Sequence, residues 1–391
     1  MRRISLFALT LFVCSCGGGT DTKQIETAAN NTKKILLMSR PDSIITRVSE
    51  IASDIEYIPL QPSANTTIKA IDKIVTRGIK IYINLISNIL CFDNQGHFLY
   101  KLYGNGKDEN DNVVAIYDFD IDTGDTSLIV LYGNKILHFK NAGSGFDYIK
   151  TIKLGRLSPS KLNFIPGNKK ILLSSIRRKG YEPSLNVLIN INGDTLSSKR
   201  NYFKRFNPVK SGIRDNIIHY QFDNKLYFRE RFSDTVFSLD NESNKFTPEL
   251  ILDSHLSSTN SRNLNDPKYF KILPNVVKIF EVPRYLYYAY NCDQHHKVFY
   301  DKYEDRKYEI DTGNEGLKDD IGGGPDFDPM FCSEGNIYSW ISVRELKKYA
   351  ENENFSRAQA QNIQKKKYLQ ALADSLKETD NPILIVLKLK D

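Results

Sequence analysis

The residues best suited to chemistry form one run, Asp319-Asp320-Ile321-Gly322-Gly323-Gly324-Pro325-Asp326-Phe327-Asp328-Pro329. Three successive glycines let a backbone turn tightly. Asp319, Asp320, Asp326 and Asp328 on such a loop supply hard oxygen donors for a polyhydroxyl ligand or a cation, with Asp319 and Asp320 the contacts for calcium. The spacing is not that of an EF-hand, and no other cofactor is implied. A structural loop leading into the last sheet is the competing reading. Hydrolysis would need two of these carboxyl groups at a set separation in space.

His295-His296, beside Cys292 and Asp293, is the second candidate. Adjacent strand residues face opposite ways, so both imidazoles reach one metal only in a turn. A solvent-exposed hairpin tip is the alternative. His97, His138, His219 and His255 have no short-range ligand spacing. Tyr285, Tyr287, Tyr288 and Tyr290 suit cross-strand packing, or else a surface on which sugars stack. The chain has no nucleophile elbow, zinc-protease helix, P-loop or dinucleotide fingerprint. Propellers and barrels gather sites from distant loops, so these absences weigh little against an enzyme.

The N-terminus is more explicit. Met1-Arg2-Arg3 precedes an apolar run ending Leu11-Phe12-Val13-Cys14-Ser15-Cys16-Gly17, the pattern of a secretory signal. It is far shorter than the roughly 20 residues that span a bilayer. Val13, Ser15 and Cys16 resemble the lipobox of bacterial lipoproteins, with Cys16 the lipidated residue and Gly17-Gly18-Gly19-Thr20 a flexible tether. The remaining thiols, Cys91, Cys292 and Cys332, match neither a CxxC centre nor a zinc knuckle. An oxidising compartment permits a Cys292–Cys332 bridge. The formal charge of +7 becomes +5 without Arg2 and Arg3, and interspersed charges leave no nucleic-acid footprint. Lys365-Lys366-Lys367 reads as a solvated helix face, or as a phosphate or anionic-lipid contact.

Any such site must be carried by strands. With 22 Tyr and 21 Phe against one Trp and three Met, the composition favours them. Residues 1–15 read as signal peptide and 16–50 as lipidated N-terminus and spacer. From Ile55-Glu56-Tyr57-Ile58-Pro59-Leu60 onward, short apolar segments alternate with turns such as Asp93-Asn94-Gln95-Gly96. Strands near Phe92, Phe139, Ile189, Leu239 and Tyr300 recur at intervals of 47 to 61 residues. Leu387 follows 87 residues beyond Tyr300, an interval that a helical insertion at about 342–378 brings back to one unit. Val343, Leu346 and Tyr349, then Leu369, Leu372 and Leu376, give that insertion its apolar faces.

Six units of about 50 residues, each a four-stranded sheet with two apolar faces, predict an all-β six-bladed β-propeller over 51–391. A pair of β-sandwiches is the rival. Pairing of Ile55–Leu60 with the segment after Pro382 would close the ring.

Ile55–Leu60, Ile71-Asp72-Lys73-Ile74 and Cys91–Phe98, with Asp319–Pro325 and Asn381-Pro382-Ile383-Leu384, resemble the six-bladed β-propeller lipoproteins of Bacteroides and related bacteria, NHL/TolB-like propellers. The resemblance covers roughly residues 50–391 and implies an outer-membrane lipoprotein facing the periplasm. Gln61 stands where that family often has an acidic residue, and Tyr103-Gly104-Asn105-Gly106-Lys107 lacks its proline. The resemblance maps no catalytic set onto this chain. The expected function is a ligand- or protein-binding scaffold, with a carbohydrate-active hydrolase or lyase at the propeller mouth and a structural subunit of an outer-membrane assembly as alternatives. The expected partners are the membrane, through the lipid, and an envelope protein or carbohydrate, not nucleic acid. Inward-facing carboxylates, His and Arg at the ring centre would favour the enzyme. An apolar, helix-bearing rim would favour a protein partner.

Overall fold

Three strands precede the first blade: β1 (Lys33–Leu36), β2 (Ser43–Ile45) and β3 (Ala52–Pro59). The computed structural model describes residues 32–390 apart from 63–66, 86, 104–114, 177–182, 202–216, 232, 255–273, 312 and 314. The signal segment, Cys16 and the Gly104–Gly106 loop lie outside these residues.

Blade one comprises β4 (Ile74–Arg77), β5 (Lys80–Asn84), β6 (Asn88–Asp93) and β7 (Phe98–Tyr103). Blade two is β8 (Ile116–Ile121), β9 (Ser127–Tyr132), β10 (Lys135–Asn141) and β11 (Phe146–Lys153). Blade three is β12 (Lys161–Phe164), β13 (Ile171–Ser174), β14 (Ser184–Ile189) and β15 (Thr195–Arg200). Blade four is β16 (Ile217–Phe222), β17 (Lys225–Glu230), β18 (Thr235–Leu239) and β19 (Phe246–Asp253). Blade five is β20 (Asn275–Glu281), β21 (Tyr285–Asn291), β22 (His295–Asp301) and β23 (Arg306–Ile310). The last blade joins β24 (Phe331–Ser333), β25 (Asn336–Ile341) and β26 (Ile383–Leu389) to β3.

The first strands of the six blades adjoin one another in cyclic order, so the chain is an all-β six-bladed propeller around a central channel. Burial follows distance from that channel. The second strand of blade two, Ser-Leu-Ile-Val-Leu-Tyr, is buried throughout. The outer strand of blade three, Thr-Leu-Ser-Ser-Lys-Arg, alternates exposed and half-buried positions. Middle strands pack between two neighbouring sheets and need apolar residues on both faces. Outer strands meet water.

Closure is where the sequence places it. β26 pairs antiparallel with β3, from Ile383 opposite Pro59 to Leu389 opposite Ala52. Gly96 seals the join with blade one. At φ +85° a Cβ there would lie 2.3 Å from the Pro59 carbonyl oxygen, which only glycine tolerates.

The stretch expected to be a spacer up to residue 50 is part of the ring from Lys33. β1 adds in parallel to β19, and β2 adds in parallel to β23. Ile35, Leu37 and Ile45 are buried there, and this alternation carries the segment along two outer edges. Its short apolar positions are easily read as linker, because each strand is completed only by its partner.

The insertion forms α1 (Val343–Ala350), α2 (Glu353–Arg357) and α3 (Ile363–Ser375). A capping box starts α1: Glu345 N donates to Ser342 Oγ (3.2 Å) and Ser342 N to Glu345 Oε2 (3.0 Å). Between α2 and α3 the helical insertion is interrupted at residues 358–362. There Gln361 N and Asn362 N donate to the Asp320 and Ile321 carbonyls (2.9 Å each), and Asn362 caps α3. Leu369, Leu372 and Ala373 of α3 are buried. Two lysines of the run staple the insertion while Lys367 stays exposed: Lys365 pairs with Asp54 (2.6 Å), and Lys366 Nζ donates to Ala358 O (2.7 Å). Among the described residues no helix is long and apolar enough to cross a membrane.

Candidate functional site

The glycine run is built around Asp319. Its Oδ1 accepts from Gly322 N (2.7 Å) and Ile321 N (3.2 Å), and its Oδ2 from Gly324 N (2.8 Å) and the Tyr57 hydroxyl. Burial pushes the carboxyl up to about 6, against the pull of the three backbone N–H groups. A Cβ at Gly322 or Gly324 would stand 2.5 Å from Tyr57 Oη, so the tight approach demands glycine. Asp320 takes Ser49 N (3.0 Å) on Oδ1, with Ser49 Oγ (2.5 Å) and Gln361 Nε2 (3.1 Å) on Oδ2. The oxygens expected to meet calcium therefore hold donors of their own chain. Among the described residues no three His, Cys, Asp or Glu side chains are grouped to hold a metal.

Above this loop lies a cleft of about 750 Å³, roofed by the insertion. Arg47, Lys318, Asp326, Tyr349, Arg357 and Gln361 are among its lining residues. Arg47 and Lys318 are partners in a parallel bridge, which sets two exposed cations side by side. Arg357 pairs with Glu353 at 2.6 Å and stays exposed. The Tyr349 hydroxyl donates to Gly323 O at 3.4 Å, tying α1 to the glycines. Partial burial raises the Asp326 carboxyl, with Lys318 opposing and Glu315 adding to it. Asp319, Asp320 and Asp326 thus converge, while Asp328 turns to Lys297 of blade five (2.6 Å).

His295 and His296 open β22, away from the cleft. His295 Nδ1 bonds to Asn291 Oδ1 at 2.6 Å. His296 is clamped between Glu309 (2.5 Å) and Asp293 (3.0 Å), with its ring stacked on Tyr290 at 4.6 Å. Burial opposes its charge, but the bonds to Asp293 and Glu309 outweigh that and hold its pKa above the usual histidine value. A raised histidine stabilises the fold fully below its unfolded pKa of about 6.5, and the contribution is lost as pH rises through the folded value. His296→Gln should therefore flatten the decline in Tm between pH 6 and 8. Equal slopes for the two proteins would show that the clamp carries no such linkage.

The four tyrosines of β21 are buried, Tyr287 and Tyr288 completely, and Tyr287 stacks on Phe280 at 4.5 Å. They pack the core, and the sugar-stacking alternative has no surface there. Cys91, Cys292 and Cys332 take part in no disulfide, so no bridge joins the last two. Burial pushes the Cys332 thiol up to about 12.

The central channel holds charged groups not singled out by their spacing, with His219, which has no short-range ligand spacing, among them. Lys73 of blade one donates to Asp118 of blade two at 2.8 Å, and Asp118 accepts from Leu162 N of blade three at 2.9 Å. Asp120 meets Arg77 at 3.5 Å and accepts from Phe164 N at 2.9 Å. His219 bonds Asn163 and Ser174 at 2.8 Å each, and burial holds its pKa down at about 3. Burial opposes the ionisation of Asp118, yet Lys73, Lys161 and the Leu162 N–H together keep it below the usual carboxylate range. Carboxylate, histidine and arginine do face inward, but each is engaged in joining blades. The signal for them was Asp118-Phe119-Asp120-Ile121, two carboxylates at strand spacing within an apolar run.

Residues 37–388 match the family described as Domain of unknown function (DUF4934). The crystal structure of "a Putative exported protein (BF0058)" from Bacteroides fragilis is similar, with TM-score 0.66 and 16% identity over 92% of this chain and 99% of that one. The Neurospora crassa Pan2 WD40 domain matches at TM-score 0.38 and 9% identity, over 63% of this chain and 66% of its own. The first of these shares the fold; the second carries no weight. No curated protein matches the sequence.

Proposed function

Since the chain belongs to the DUF4934 family, whose description assigns no activity, we propose a function from the cleft itself: an envelope-anchored propeller that binds an acidic oligosaccharide. One observation carries this reading. The insertion departs from blade geometry and roofs a polar cleft lined by Arg47, Lys318 and Arg357. Asp319 is held by its own loop and Tyr57, and Asp320 by Ser49 and Gln361, which leaves Asp326 as the exposed carboxylate of the lining. Three cations face three carboxylates in the lining, and the exposed Arg47 and Lys318 set side by side are the part that meets acidic groups, with Gln359, Gln361 and the Tyr349 ring to meet sugar hydroxyls and faces. The reading needs no cation and no catalytic carboxylate pair. The signal-like start, with Cys16 as the lipid attachment point, supports an outer-membrane lipoprotein facing the periplasm. Similarity to a protein named as exported agrees with this.

The hydrolase or lyase alternative draws on the inward Asp118, Asp120 and His219. A histidine held near 3 and doubly bonded is a poor proton carrier at neutral pH.

Calorimetry of the mature protein with oligogalacturonate and with neutral cello-oligosaccharides tests the proposal. The acidic ligand should bind, and Arg47→Gln or Arg357→Gln should weaken it roughly tenfold, the cost of one charge-assisted hydrogen bond. Binding should also weaken with salt. Equal affinity in the variants sinks the cleft reading, and shortened products would favour the enzyme. In the same preparation, Cys16→Ser should leave the protein outside the membrane fraction.

A further inference from the structure

The channel is polarised along its axis. At the end where the inner strands begin, a space of about 300 Å³ is lined by Lys73, Lys161 and Lys278 with Asp72 and Asp118. At the other end, about 570 Å³ of open space meets Asp120, Asp223, Glu281 and Glu334, with Arg77 and Lys73 as its cations. The three lysines come from blades one, three and five, so alternate blades each supply one ammonium group to the same mouth.

Their charges are unequally balanced. Lys73 is bound to Asp118. Lys278 Nζ donates to the Pro329 carbonyl at 2.6 Å, a neutral acceptor. Among the described residues no carboxylate lies within ion-pair distance of Lys161 or Lys278. Burial lowers the Lys278 pKa, Asp328 opposes that and Lys297 adds to it, so its charge is held at a cost. His219 in the adjoining wall is neutral and relieves none of this. Low-dielectric walls concentrate the field of such a mouth. The space suits a small molecule rather than a polymer.

We infer that this mouth is a second binding site, for a small multivalent anion whose carboxylate or phosphate oxygens bridge Lys161 and Lys278 beside the Lys73–Asp118 pair. Ammonium groups fixed on separate strands and short of carboxylates recognise such oxygens by charge-assisted hydrogen bonds. The site is distinct from the cleft, which lies on the rim under the insertion and shares none of these lysines.

Calorimetry of the mature protein with citrate and with inorganic phosphate tests it, and the better binder identifies the oxygen source. Binding of at least one is expected at about 20 mM salt, weakening at about 300 mM. Lys161→Gln and Lys278→Gln should each weaken it roughly tenfold. Lys161→Arg should retain it, and Arg357→Gln should leave it unchanged. If Lys278→Gln melts early, charge reversal in Lys161→Glu reads the same mouth. Failure of both anions to bind overturns the site, as does binding indifferent to Lys161 or abolished by Arg357→Gln. The last result would move the anion to the cleft.

Discussion

Deleting residues 382–391 is expected to unfold the whole ring rather than fray one tail. The segment is β26, the strand between β25 and β3. Its side chains alternate between two cores. Leu384 and Val386 pack with Ile74, Ile83 and Phe92 of blade one. Ile383, Ile385 and Leu387 join the cluster that holds Phe280, Tyr287 and Phe299 of blade five. Full burial of one such side chain contributes ~1.5–3 kcal/mol, so five contribute on the order of 10 kcal/mol. A domain's net stability is ~5–15 kcal/mol, and the loss is of that size. Loop closure, once released, also removes the fixed neighbours of the first and fifth blades. Circular dichroism should show no cooperative melt in the shortened chain. A single sharp transition within a few degrees of the full-length protein would mean that the ring closes without this strand.

Asp319→Ala should be the most damaging single change near the cleft. The carboxylate is buried and accepts from three backbone N–H groups and the Tyr57 hydroxyl. Alanine leaves these donors without an acceptor where water is scarce, at a cost of ~3–5 kcal/mol. For a chain of this size that corresponds to a fall in Tm of about 5 °C. The glycine loop is also the floor on which residues 358–362 rest, so proteolysis at the insertion should accelerate. Asp326→Ala, on the exposed side of the same cleft, is expected to change stability by less than about 0.5 kcal/mol. Equal melting of the two variants would show that Asp319 does not hold the loop.

The sequence by itself determined the propeller, its six units, the closing strand and the helical insertion. All of these follow from local periodicity and spacing. Ile383-Leu384-Ile385-Val386-Leu387 can only be a strand buried on both faces, and Asn381-Pro382 must end the helix before it. Asp319–Pro325 was legible as a tight loop for the same reason, since three glycines leave the backbone few other uses.

Only the tertiary structure decided what the polar residues do. Asp319 is silent in sequence about whether it meets a ligand or its own loop, because the deciding donor, Tyr57, lies 262 positions away. Lys73, Lys161 and Lys278 are unremarkable lysines until the ring sets blades one, three and five around one mouth. His295-His296 stood out by adjacency, yet a strand separates neighbours and hands each to a different partner. Short-range order fixes which residues share a strand face. The charges that meet across blades are set by radial packing, which the spacing of residues along the chain does not encode.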